Sequence, residues 1–227
     1  MAVRTQVYFD TTDHVRIVGD YVLPEEDIRS AALFLHMMPA DRKSYRTFQD
    51  GVALCGVASL AIDLRGHGDS TFQEGRDEPL NYTKFTDAEH QASIEDVRGA
   101  AAYLRELTRK PFSQFACVGA SIGANLAIQF ASEVQELPLV IALSPGLDYR
   151  GIATVPCIEK MKAENQRVIL ASSNGDTYSH DTIKELHKVS PSFSTIVVQE
   201  GSEHGTNLFL DQEFALKVAK ALCTMRI

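Results

Sequence analysis

The chain has 227 residues, 44% of them apolar and 23% charged, which is enough apolar material for a substantial core and excludes disorder as a description of the whole. Its 22 Lys and Arg against 30 Asp and Glu give a net charge of −8, which argues against nucleic acid as the main partner and against docking on an anionic membrane. No apolar run approaches the roughly 18 residues that span a bilayer, and Met1 to Asp20 has no basic start followed by an apolar run, so a cytoplasmic protein is expected.

Two strands are predicted to open the chain, near Gln6–Phe9 and Val15–Leu23, as an antiparallel edge hairpin. Short continuous apolar runs follow at Ala31–His36, Ser59–Leu64, Phe115–Ala120, Leu139–Leu143, Val168–Ala171 and Thr195–Val198. Such runs suit parallel strands covered on both faces. Between them, Ala88–Leu107 reads as a helix, with Ile94, Val97, Ala101 and Leu104 on one stripe. Ile122–Glu133 and Thr206–Leu222 read as two more. The polar stretch Arg65–Asp87, with Gly66, Gly68, Gly75 and Pro79, reads as a surface loop. The sum is a three-layer α/β sandwich of about eight mostly parallel strands with helices on both faces, expected as a single domain over 1–227. Cys55, Cys117, Cys157 and Cys223 show neither a CxxC pair nor zinc-ligand spacing with His, and are read as reduced, buried thiols.

The sharpest motif is Gly119-Ala120-Ser121-Ile122-Gly123, a GxSxG string. It follows one predicted strand directly and precedes one predicted helix directly, which is the setting of a nucleophile elbow. The competing reading is an ordinary tight turn with a capping Ser. A serine hydroxyl needs a base, and His204, in Gly201-Ser202-Glu203-His204-Gly205, lies between the last strand and the last helix. His67 is read as structural, and His36 as shaping its loop. The imidazole in turn needs a carboxylate to fix its tautomer. Asp176 follows the strand Val168–Ala171 and is favoured over Asp148, which follows the preceding strand. The oxyanion donors expected are the backbone amide of Ile122 and that of Met38, with Met37 as the alternative. No metal or organic cofactor is implied.

With these pieces in place the chain resembles an α/β-hydrolase, close to the small bacterial serine esterase and dienelactone-hydrolase-like branch. The resemblance spans nearly the whole chain. It rests on Leu35-His36-Met37-Met38-Pro39-Ala40-Asp41, on Ile62-Asp63-Leu64-Arg65-Gly66-His67-Gly68-Asp69-Ser70, on the elbow, and on the Asp176 and His204 loops. Many relatives have His-Gly where His36-Met37 stands here. Dienelactone hydrolases carry Cys where Ser121 stands, so the resemblance implies a serine esterase instead. Relatives often insert a helical cap after the sixth strand. Ser144 and Val168 bracket only 23 residues here, which leaves no room for one. The expected site is therefore open and shallow, lined by Met37, Met38, Leu147, Tyr149, Tyr178 and Phe209. The expected function is a carboxylesterase for small or short-acyl esters, with a small-molecule ester as partner and no oligomeric state specified. The alternatives are a catalytically weak ligand-binding or signalling protein on this scaffold, or an acyltransferase, thioesterase or peptidase using the same triad.

Overall fold

The computed structural model describes residues 2–161 and 163–225. The chain runs β1 (Val3–Asp10), β2 (Val15–Leu23), β3 (Ser30–Leu35), α1 (Arg46–Ala53), β4 (Val57–Ile62), β5 (Phe72–Gln73), α2 (Asp87–Gln91) and α3 (Ile94–Thr108). It continues through β6 (Phe115–Ala120), α4 (Ile122–Glu133), β7 (Leu139–Leu143), β8 (Asp148–Tyr149), β9 (Ile152–Ala153) and α5 (Val155–Ile158). It closes with β10 (Arg167–Ser173), α6 (Thr177–Val189), β11 (Ser194–Gln199) and α7 (Gln212–Thr224).

One mixed sheet forms in the order β1-β2-β4-β3-β6-β7-β10-β11, with β5 added beside β2. β2 pairs antiparallel with both β1 and β4, and every pair from β4 to β11 is parallel. Every residue of β3, β4, β6 and β7 is buried. Their unbroken apolar runs follow from that, because helices cover both faces. On one face α3, α4 and α6 bury Ile94, Val97, Leu104, Leu126, Ile183 and Leu186. On the other, α1 and α7 bury Phe48, Val52, Phe214, Val218 and Leu222. From β3 the chain passes to β4 on one side, and then returns to β6 on the other. Such a reversal opens a crevice at the carboxyl ends of the two central strands, where ligands of open α/β sheets bind.

The structure corrects several expectations. The expected helix Ala88–Leu107 is two, α2 and α3, broken at Ala92 and Ser93. The expected Thr206–Leu222 helix begins as a 3₁₀ turn, Gly205–Leu210, and α7 starts only after Asp211, whose carboxylate caps it by accepting from the Glu213 and Phe214 amides. The loop Arg65–Asp87 contains β5 and a 3₁₀ turn at Tyr82–Lys84. The cysteines are not four reduced thiols: Cys55 and Cys223 form a disulfide, and Cys117 and Cys157 are free. The reason is the packing of α1 beside α7, which brings the two Cα atoms to 5.6 Å across 168 residues of sequence.

Among the described residues between β7 and β10 the strands and α-helices are the β8–β9 hairpin and the short α5, and these build no separate cap. Among the described residues no helix is long and apolar enough to cross a membrane, and no group of three His, Cys, Asp or Glu side chains is placed to hold a metal.

Candidate active site

Ser121 stands between the end of β6 and the start of α4, with φ 54° and ψ −120°. Positive φ in a residue with a Cβ is strained, at roughly 1–3 kcal/mol. The turn is held by the Ser121 amide donating to Leu143 (2.8 Å) and by the Ala124 amide donating to the Ser121 carbonyl (2.8 Å). The flanking glycines are steric necessities. A Cβ on Gly119 would come within 2.0 Å of the Gly123 carbonyl oxygen, and one on Gly123 within 2.5 Å of the Leu35 carbonyl oxygen. Ile122 opens α4, so its amide is one of the four that a helix leaves without an internal acceptor, at the positive end of the dipole.

Asp176 follows β10 and His204 follows β11, two parallel neighbours paired Ser173 to Gln199. His204 Nδ1 lies 2.7 Å from Asp176 Oδ2, and the carboxylate is largely buried. Asp148 does not meet His204; it accepts from the Gly151 amide in the β8–β9 turn. The backbone on each side of His204 is fixed. The Ser173 hydroxyl donates to the Glu203 carbonyl (2.7 Å), and the Gly205 amide donates to the buried Ser144 hydroxyl (2.9 Å). A Cβ built on Gly205 would lie 3.4 Å from the Cβ of Ala120 and 3.3 Å from that of Met37. The His204 loop therefore presses on a residue adjacent to Ser121 and on the loop after β3.

That loop, His36 to Ala40, is held by His36, which is fully buried. Nε2 of His36 accepts from the Leu64 amide (3.0 Å), so the ring proton sits on Nδ1, which donates to the Met37 carbonyl (2.9 Å). In a planar trans peptide the C=O and N–H point opposite ways, so the Met38 amide is aimed away from the His36 ring. The Met38–Pro39 bond is cis. The Asp63–Ser70 string builds the neighbouring wall. Asp63 accepts from the Arg42 and Asp69 amides (both 2.8 Å) and pairs with the buried Arg42 guanidinium. The Arg65 guanidinium pairs with Asp96, which is fully buried on α3. His67 stacks on Tyr82 at 3.9 Å and donates from Nδ1 to the Arg65 carbonyl (3.0 Å), a structural placement.

The expected pocket residues separate. The Met38 side chain packs with the α3/α4 core and Met37 with the α1/α7 core. Tyr149 packs on the α3/α4 side, with Tyr178 edge-on at 5.7 Å. Tyr149's hydroxyl is 3.3 Å from Ser179 Oγ and near enough to the Ser121 side chain to interact with it electrostatically. Burial holds this phenol above its ordinary pKa, against the opposing pull of those two hydroxyls. Leu147 and Tyr178 are exposed, and the Tyr178 hydroxyl bonds the Asp148 backbone. Phe209 is on the opposite face. It stacks on Phe48 at 4.2 Å and lines a groove of about 620 Å³ between α1 and α7. Sequence reasoning missed Ser144, Ser173 and Asn125. The only sequence signal for Asn125 is a polar residue within the apolar first two turns of α4, four positions after Ser121.

Residues 33–153, more than half of the chain, match the alpha/beta hydrolase fold family, and the chain belongs to that family. No curated protein sequence matches it. Among solved structures it is similar to the esterase Pf2001 of Pyrococcus furiosus, at 18% identity and a TM-score of 0.76, over 97% of this chain and 92% of that one. It is similar to a dienelactone hydrolase from Anabaena variabilis, at 18% identity and a TM-score of 0.72, over 98% and 96% of the two chains. A thermostable carboxyl esterase from Bacillus coagulans gives 10% identity and a TM-score of 0.75, over 98% and 97%. At these identities the likeness is one of fold.

Proposed function

We propose that the chain is a single-domain serine hydrolase, a carboxylesterase for small or short-acyl esters. The observations that carry the reading are the Asp176–His204 contact at 2.7 Å and the serine at the start of α4 in the strained geometry of an elbow. In this reading Ser121 Oγ attacks the ester carbonyl and His204 Nε2 takes its proton. Asp176 keeps the other ring proton on Nδ1 and stabilises the imidazolium. The Ile122 and Met38 amides hold the oxyanion, each supplying on the order of a hundredfold or more in rate. The alcohol leaves with a proton from His204, and water then releases the acyl group with His204 again as base. The absence of a cap among the described residues, and the exposed Leu147 and Tyr178, support an open site suited to small substrates.

The test is turnover of p-nitrophenyl esters of increasing acyl length. Acetate or butyrate is expected to be cleaved fastest, and Ser121→Ala to reduce kcat to background. Turnover that survives Ser121→Ala would overturn the mechanism, and rates rising steadily into long chains would overturn the substrate class. A single slow acylation without turnover would favour the binding-protein alternative.

A further inference from the structure

The esterase cycle above uses amides on one side of Ser121 and an imidazole on another, and gives no task to the phenol of Tyr149. The position of that phenol is nevertheless built. Asn125, one turn into the elbow helix and fully buried, donates from Nδ2 to the Ile152 carbonyl (2.7 Å) and accepts at Oδ1 from the Gly146 amide (3.0 Å). Ile152 is the hairpin partner of Tyr149. The Thr154 hydroxyl fastens the Gly146 carbonyl (2.9 Å). Both ends of the Tyr149 segment are thus tied to buried groups, Asn125 being on the helix that carries Ser121 at its start. Buried polar groups paired in this way resist displacement, since breaking one leaves the other unsatisfied. The ring is confined as well. It lies against Gly146, where a Cβ would come within 2.7 Å of ring atom Cε2, and Tyr178 closes its edge.

The sheet order then decides which part of a substrate this hydroxyl meets. The His36–Ala40 loop follows β3 on one side of β6, and Tyr149 follows β7 on the other. A simple ester has two oxygens. With the carbonyl oxygen turned toward the Met38 and Ile122 amides, the alkoxy oxygen is the one left for a donor on the β7 side. A phenol hydroxyl carries its proton at neutral pH and is such a donor.

We infer that Tyr149 is a substrate-contacting residue that donates a hydrogen bond to the alkoxy oxygen of the bound ester. This rests on the serine-esterase reading. When the tetrahedral intermediate collapses, the bond between carbon and the alkoxy oxygen breaks and its electron pair stays on that oxygen. The oxyanion's pair re-forms the carbonyl, and the departing alcohol takes its proton from the His204 imidazolium. Tyr149 keeps its own proton throughout and eases the charge that builds on the leaving oxygen. Such help matters most when that oxygen is strongly basic.

The experiment is Tyr149→Phe, which keeps the ring and removes the hydroxyl. kcat/KM is measured on ethyl acetate and on p-nitrophenyl acetate, which share an acyl group, with fluorophosphonate labelling of Ser121 alongside. A loss of about tenfold or more is expected on the ethyl ester, with the nitrophenyl ester and the labelling rate within about threefold of wild type. Equal losses on both esters, a larger loss on the nitrophenyl ester, or no loss on either would overturn the inference. A wild-type protein that neither labels nor cleaves the nitrophenyl ester would instead overturn the esterase reading beneath it.

Discussion

His204 Nδ1 and Asp176 Oδ2 lie 2.7 Å apart, although 28 residues and a whole helix–strand unit separate them in sequence. Adjacent parallel strands make the meeting possible, because β10 and β11 end at the same edge of the sheet. The contact fixes which ring nitrogen carries the proton, and in the proposed mechanism the other acts as base. Asp176→Asn is expected to lower kcat on p-nitrophenyl acetate by about 10³–10⁴-fold with the fold intact. Asp148→Asn, at a carboxylate that accepts from the Gly151 amide of its own hairpin turn, is expected to stay within about threefold of wild type. A large loss at Asp148 and none at Asp176 would reverse the assignment.

The Ser144 hydroxyl accepts the Gly205 amide in a buried position, and so fixes the residue after His204. Ser144→Ala leaves that amide without its partner, at about 1–3 kcal/mol of stability. It also loosens the His204 backbone. Steady-state kinetics are expected to show kcat falling by about tenfold or more with KM nearly unchanged, since a shift of the base acts on the transition state. A rise in KM alone would place Ser144 in substrate binding instead.

His36 is buried as a neutral ring, and burial pushes its pKa down to about 4. The folded state therefore resists a proton that the unfolded chain accepts near pH 6.5. Stability from this group is fully present above about pH 6.5 and is lost as pH falls toward 4. The loss from pH 7 to 4.5 amounts to about 2–3 kcal/mol for His36. His67, also pushed down to about 4 chiefly by burial, adds in the same sense. Asp96, raised to about 6 by burial, works in the opposite sense within the same window. The signature of His36 is thus a difference between proteins. Urea unfolding at pH 7 and pH 4.5 is expected to show a flatter pH dependence in His36→Asn than in wild type. Identical slopes would remove His36 from the acid sensitivity.

The Cys55–Cys223 disulfide closes a loop of 168 residues and ties the end of α1 to the end of α7. Cross-links of this kind contribute typically about 2–4 kcal/mol, chiefly by restricting the unfolded chain. Cys223→Ser is expected to lose stability of that order in urea unfolding, with kcat nearly unchanged because the pair lies far along the helices from the strand ends. An unchanged midpoint in both Cys223→Ser and reduced wild type would show that the link carries no stability.

What could be read from the sequence follows from how locally each feature is encoded. β2, β6, β7 and α4 fall where the apolar runs put them, Val15–Leu23, Phe115–Ala120, Leu139–Leu143 and Ile122–Glu133, because their burial is dictated by their own side chains. α1 and α6 were not legible. α1 buries Gln49 beside Phe48 and Val52, and α6 buries Ser179 and Thr182 beside Ile183 and Leu186, so neither presents a clean apolar stripe. The elbow could be read because its glycines sit within two residues of Ser121. Asp176 and His204 are expected to pair from their order along the chain, and the structure places their side chains in contact. Phe209 could not be placed, because its neighbour Phe48 comes from a helix 161 positions earlier, on the face away from Tyr149. The disulfide was hidden for the same reason, since only the packing of α1 on α7 brings its halves together. The serines that clamp the His204 loop carry no signature beyond lying at strand ends.

The most direct test of the account is covalent labelling with a fluorophosphonate, read by intact mass and peptide mapping on wild type and Ser121→Ala. One adduct per chain is expected, on Ser121, formed rapidly and absent from the variant. A folded wild-type protein that takes no adduct, or takes it on another residue, would contradict the assignment of Ser121 as the activated nucleophile.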